Sequence, residues 1–365
     1  MRKILSITLI LFLNSLIIAS DHGMYLKVVS NINSNVDAVG SKVKSLFENS
    51  EFTILNYIDV SVPDIVREND KCGSKAKLLI LTSKPYIKTL TKYGNKYLTA
   101  SFLRVGIYET PEGVNITIAD PETINRIIFN DLFENDKEKE YKKIVEETKV
   151  YKSSLIKKLH TLGLGSKVSE AMPPVRSDED LMESSRDMFM MVGPITFFND
   201  EDQFPIVYKI KNTMGKGGVS YLKEKIEKNL KKFKPLQEDI DYRPTISPEV
   251  LKWKIVSEVY SPDSTAILLG LTRPRTEGLS FHIAGASREN EKNKCPGIDH
   301  VTAYPIEVLI MQKDDNLIIQ TCRQMFRMDM YFWDAGMPAF MDHMSMPGIL
   351  DVSLRKAILG NDYSE

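Results

Sequence analysis

The sequence predicts an α+β protein of two repeats, each an antiparallel sheet with helices on one face, in the order β-α-β-β-β-β-α. Three observations carry this prediction. Thr99–Phe129 lies without gaps over Thr302–Phe332, matching Thr99 with Thr302, Val105 with Val308, Ile107 with Ile310, Ile116 with Ile319 and Phe129 with Phe332. Each copy reads as an apolar strand, a turn, a second strand and a helical run. The turns are Pro111-Glu112-Gly113 and Asp314-Asp315-Asn316, and turn residues between β-rich runs mark hairpins. Upstream, each half carries one helix with a single apolar face, which must pack on a sheet.

In the first half a strand is expected from Tyr25 to Ser30. A helix follows it, with Val36, Val39, Val43, Leu46 and Phe47 at helical spacing behind the capping residues Ser34 and Asn35. Strands are then expected at Phe52–Val60, Ala76–Thr82, Phe102–Tyr108 and Val114–Ala119. In the second half the strand Ile206–Ile210 precedes a helix carrying Val219, Leu222, Ile226 and Leu230, behind a glycine-rich turn at Gly215, Gly217 and Gly218. Phe233–Tyr242 reads as its next strand, and Thr265–Thr272 matches Ala76–Thr82. Between the halves, 135–162 reads as a charged helix ended by Gly163 and Gly165, followed by the break at Met172-Pro173-Pro174. The expected organisation is a leader at 1–20, a first repeat at 21–135, a helical linker at 136–200, a second repeat at 201–340 and a tail at 341–365.

Each half resembles the family known as domain of unknown function three-hundred-and-two. The resemblance rests on the helix around Val39–Phe47, the strand Phe52-Thr53-Ile54-Leu55 and the block Thr117-Ile118-Ala119-Asp120-Pro121. The second half departs from it, with Arg323 and Gln324 in place of Asp120 and Pro121. Neither half shows the Pro-Cys pair of many members; Leu98-Thr99 and Val301-Thr302 stand there instead. The resemblance implies a curved sheet gripping helices in a TATA-binding-protein-like topology and permits tandem copies. It supplies no settled activity and no site residues.

Arg2 and Lys3, the apolar stretch Ile4–Ala19, the small residues Ala19 and Ser20, and then Asp21 follow the order of a secretory signal peptide. An exported, periplasmic protein is therefore expected, without a nucleic-acid partner: 48 Lys+Arg against 49 Asp+Glu give no global basic field. With three cysteines, Cys295 and Cys322 can either pair or remain thiols, and Cys72 stands alone. Catalytic signatures such as G-x-S-x-G, H-E-x-x-H, C-x-x-C and the phosphate-binding Walker loop are absent. No catalytic residue is assigned, and a non-enzymatic binding or accessory protein is expected.

Methionine is the compositional anomaly: of 16, only Met1 and Met24 precede Met172. One cluster holds Met188 and Met190; another holds Met325, Met328 and Met330 beside Trp333. Flexible thioethers beside aromatic rings suit an apolar groove, so these six are the candidate seat of an apolar small ligand or a periplasmic protein partner. Dimerisation is compatible with such a surface. The alternative is Cu(I), which takes soft thioether ligands. Its candidate ligands are Met341, His343, Met344 and Met346, with Cys295, His300 and Cys322 in the same half.

Overall fold

The structure, a computed structural model, describes residues 22–60, 75–182, 203–241, 248–287, 298–334, 341 and 343–363. The expected leader, 1–20, lies outside them. Two antiparallel sheets with attached helices form the molecule, one sheet of six strands and one of five.

The first repeat begins with β1 (Tyr25–Ile32) and α1 (Val36–Glu48). Asn35 caps α1 by accepting the Ala38 amide at 2.8 Å. Strands β2 (Thr53–Val60) and β3 (Ala76–Thr82) follow, then α2 (Lys84–Thr91), a 3-10 segment (Asn95–Ser101), β4 (Leu103–Thr110), β5 (Gly113–Ala119), α3 (Pro121–Ile128) and α4 (Asn130–Glu134). The second repeat runs β7 (Ile206–Lys211), α7 (Gly217–Lys232), α8 (Gln237–Asp241), a 3-10 turn (Pro248–Leu251), β8 (Lys254–Tyr260) and β9 (Ala266–Thr272). It continues through α9 (Pro274–Ser287), a 3-10 segment (Ile298–Ala303), β10 (Ile306–Lys313), β11 (Asn316–Thr321) and α10 (Gln324–Tyr331), and α11 (Met346–Leu359) closes the chain. The strand orders are β2-β3-β4-β5-β1 and β8-β9-β10-β11-β7. They are the same order, strand for strand. The gapless sequence match holds to the residue: β4 maps onto β10, and α3 onto α10.

Two differences from the expected element order have local causes. Each repeat holds a helix between its middle strands, α2 and α9. Ser83 accepts the Tyr86 amide and Pro85 sits in the first turn of α2, a start signal that a search for alternation passes over. Of the expected strand Phe233–Tyr242, the described residues 233–241 form no strand and contain α8; the strand is β8. Pro235 removes a ladder donor, whereas Lys254-Ile-Val-Ser-Glu-Val-Tyr260 carries the polar interruptions of a half-exposed strand.

The described part of the segment between the repeats, 136–182, packs with the first. Helix α5 (Glu138–His160) buries Tyr141, Ile144, Val145, Leu155 and Leu159, β6 (Ser166–Ala171) joins the first sheet at β1, and the short α6 (Asp178–Met182) follows. His160 Nε2 lies 3.0 Å from the Val28 carbonyl and 2.8 Å from that of Val168, fastening the helix to both strands. Sheet two has no such sixth strand among the described residues, so β7 ends it, carrying Lys209 and Lys211. Edge lysines oppose further strand pairing.

Along β4, Val105 and Ile107 share the face packed by α1, and alternation turns Arg104 and Gly106 to the opposite face. That face meets the second repeat. A Cβ on Gly106 would stand 2.2 Å from Val301 Cγ1, so only glycine admits the 3-10 segment there. In sheet two Gly270 plays a similar part, facing Pro305 and Phe102. Each repeat thus seats the 3-10 region of the other against its sheet.

At the centre of this contact Arg104 and Glu307, counterparts in the two copies, form a buried ion pair. Glu307 also receives Arg327 Nε at 3.3 Å and the Tyr331 hydroxyl at 3.2 Å. Removing one partner of such a pair leaves a buried charge. Glu307→Leu is expected to cost about 3–5 kcal/mol in urea unfolding, and adding Arg104→Met is expected to restore part of the loss; a double variant no better than the single contradicts this pairing.

Candidate functional site

A cavity of about 640 Å³ opens between the repeats. The first repeat supplies Lys96, Tyr97 and Thr99 from its 3-10 segment, Ile128 from the last turn of α3, and Asp131 from α4. The second supplies Gln203, Phe204 and Pro205 on the approach to β7, then Ile206, Glu307, Leu309, Lys313, Gln320 and Cys322. The wall therefore mixes ring and aliphatic carbon with polar and charged side chains in about equal number, a more polar lining than most small-molecule sites have.

Local folding explains the placement. Pro121 starts α3, and Asp120 caps it by accepting the Glu122 amide at 2.9 Å. The eight residues of α3 then bring Ile128 to the cavity. The Tyr97 hydroxyl reaches both Asp131 oxygens at 3.0 Å, and Lys96 pairs with the same carboxylate, fixing one rim. Tyr97 also meets the edge of Phe129, ring centres 5.1 Å apart.

Glu307 and Cys322 are the chemically distinctive groups. The Glu307 carboxylate is held by Arg104, Arg327 and Tyr331. Burial works against the Arg327 charge, but Glu307 outweighs it and holds the guanidinium above its ordinary pKa. Burial raises the Tyr331 phenol, keeping it protonated as a donor. Cys322 is a free, buried thiol. Burial pushes its pKa well up, nearby Glu307 adds to the rise, and Arg327 opposes it.

The matching place in the other copy is filled. Backbone pairing fixes the correspondence: Asp120 N donates to the Met24 carbonyl, and its counterpart Arg323 N donates to that of Gln203. Tyr25 therefore corresponds to Phe204. Tyr25 meets the edge of His300 at 4.8 Å and donates its hydroxyl to the Tyr331 carbonyl at 2.7 Å. His300, the counterpart of Tyr97, stacks on Phe332 at 5.3 Å and contacts Asp334 through Nε2 at 2.8 Å. Asp334 is the counterpart of Asp131, so one aromatic-to-aspartate arrangement occurs twice.

The sequence candidates are dispersed. Met328, Met330 and Trp333 are buried with α10 and its exit, while Met325 is half-buried. Trp333 Nε1 donates to the Pro174 carbonyl at 3.0 Å. None of these four lines the inter-repeat cavity, although Met328 borders a small crevice beneath α11. Met188 and Met190 lie outside the described residues, as does Cys295. In the tail, Met341 and Met344 are 57% and 53% exposed, whereas His343 and Met346 are buried. Among the described residues, no three His, Cys, Asp or Glu side chains gather as a metal site. His300 serves inter-repeat packing, and Cys322 faces the cavity. Sequence reading missed Phe204, Ile128 and Glu307; only the repeat match, followed position by position, could have drawn attention to them.

No family model, curated protein or solved structure matches the chain. No helix among the described residues is long and apolar enough to cross a membrane.

Because the Cys322 pKa is raised on folding, its neutral form is stabilised and that contribution is complete below the unfolded thiol pKa of about 8.5. It is lost as pH rises from there toward the folded value. Folded protein at pH 8.5 is expected to react with Ellman's reagent at Cys322 at least tenfold more slowly than protein in urea, in a variant lacking Cys72 and Cys295; equal rates would contradict this burial.

Proposed function

We propose that the chain is an exported, non-catalytic binding protein whose ligand seat is the cavity between the two repeats. The observation that carries this reading is the asymmetry of the two matched places: one is closed by Tyr25, Tyr331 and His300, while the other remains open to about 640 Å³. A ligand entering a cleft of that size displaces water from its apolar wall and buries that wall.

The chemistry of the wall supports binding over catalysis. Of the wall's two buried carboxylates, Glu307 is engaged by two guanidinium groups and Asp131 by Lys96 and the Tyr97 hydroxyl, which suits them to orient a ligand more than to shuttle protons. The one thiol is held in its neutral, weakly nucleophilic form. The ligand suited to this wall is a small amphipathic molecule, apolar against Phe204, Ile128 and Leu309. Its polar groups would meet Glu307, Gln203 and Gln320. Export rests on the leader at residues 1–20 and makes the periplasm the place where such a ligand is met.

Leu309→Trp fills the cavity from the floor of β10. In a thermal-shift screen of amphipathic compounds, wild-type protein is expected to show hits that raise Tm by several degrees, and Leu309→Trp is expected to lose them while staying folded. A screen without hits, or hits indifferent to this substitution, would remove the reading.

A further inference from the structure

The open site lacks one particular side chain, and the other copy shows which. Position 331, at the end of α10, is tyrosine. Its ring lies 4.5 Å from the Arg327 guanidinium and 5.6 Å from that of Arg104, and its hydroxyl donates to Glu307 Oε1 at 3.2 Å. Position 128, at the end of α3, is the same place in the first copy and holds isoleucine. Ile128 lines the cavity, as does Phe204, which has the ring of its counterpart Tyr25 but not the hydroxyl. The first copy is therefore short of one phenol ring; by the repeat match a hydroxyl at 128 would face Arg104, the counterpart of Glu307, and Glu307 is reachable because it lines the cavity itself.

Glu307 has capacity left to receive such a group. Its Oε1 accepts from Arg104 and Tyr331, while Oε2 accepts only Arg327 Nε, at 3.3 Å, among the described contacts. A carboxylate offers about four acceptor directions, so one remains for a donor entering from the cavity. The flanking surfaces suit a flat ring: Phe204 and Tyr97 are aromatic, and Ile128 and Leu309 are aliphatic. The volume exceeds that of a single ring, so the ring would be one end of a larger molecule.

We infer that the cavity takes a phenolic ligand, an aromatic ring whose hydroxyl donates to Glu307 in the manner of the protein's own Tyr331. This rests on the cavity being a ligand seat, and it names the chemical class that the seat selects. Recognition follows from a ring that fills the volume Tyr331 takes in the other copy and a hydroxyl that meets the carboxylate lining that volume. A hydroxyl donating to a buried carboxylate forms a charge-assisted bond. A ring that lacks the donor leaves that acceptor direction empty.

The test uses the folded full-length chain after leader removal, titrated calorimetrically with 4-hydroxybiphenyl, 4-methoxybiphenyl and 4-fluorobiphenyl. The hydroxyl compound is expected to bind about tenfold or more tightly than the other two, the margin of one hydrogen bond to a charged group. Ile128→Tyr, which restores the missing side chain, is expected to abolish binding of all three. Equal affinities for the three compounds would overturn hydroxyl recognition, as would unchanged binding to a folded Ile128→Tyr variant. Should that variant not fold, the three-compound comparison on the wild-type chain decides alone. Failure of all three, while other compounds still bind in a way that Leu309→Trp abolishes, overturns the phenolic assignment and spares the cavity reading; no binding by any compound overturns both.

Discussion

The buried cluster of Arg104, Glu307 and Arg327 is the constraint on which the assembly of the two repeats depends. Two guanidiniums and one carboxylate are withdrawn from water, which is tolerable only where hydrogen bonds satisfy them. The surroundings supply most of those bonds, leaving Arg104 Nε as the cluster's buried donor without one among the described residues. Arg327 donates to the Ala303 and Pro305 carbonyls, Arg104 reaches those of Phe102 and Pro305, and Tyr331 completes Glu307. Every one of these partners lies on a 3-10 segment, on its exit or on α10. The ion cluster therefore specifies how the 3-10 regions must sit, and the glycines at 106 and 270 provide the room. Apolar burial holds the sheets together; the charges fix their mutual register.

That register accounts for the cavity. Equivalent elements line both sides of the approximate symmetry, but their side chains have diverged. On one side Tyr25, His300, Phe332 and Tyr331 interlock. On the other Phe204, Tyr97, Phe129 and Ile128 occupy the corresponding positions, and the smaller Ile128 does not span the gap. The divergence at the axis is one of charge, and beside it one of volume.

Much of the fold was legible in the sequence because its signals are local. Thr99–Phe129 and Thr302–Phe332 matched without gaps, since a hairpin and the helix behind it tolerate no insertion without moving the ends of α3 or α10. The Asp-Pro start of α3 was likewise readable, as a cap and a first-turn proline. Helix α2 was missed because eight residues span barely two turns, and the longer α9 because its apolar residues do not gather on one face. Strand β8 was displaced because an apolar residue at Phe233 imitated a strand start. The site was far less legible. Methionine clustering drew attention to Met328 and Met330, yet thioethers also fill irregular cores, and there they are buried. The leading cavity residues carry no motif: Ile128 matters for what it is smaller than, and Glu307 for the charge it faces across the axis. Both are relations between positions distant in sequence, visible only when the copies are superposed in space.

Arg104 and Glu307 occupy the same position in the two copies, so in a symmetric pair of identical chains that residue would confront itself. Two arginines or two glutamates would then repel in a dry setting. The present arrangement needs two copies free to differ at that one position, as repeats within a single polypeptide are. With base on one and acid on the other, the pair favours the mixed partnership over either symmetric one.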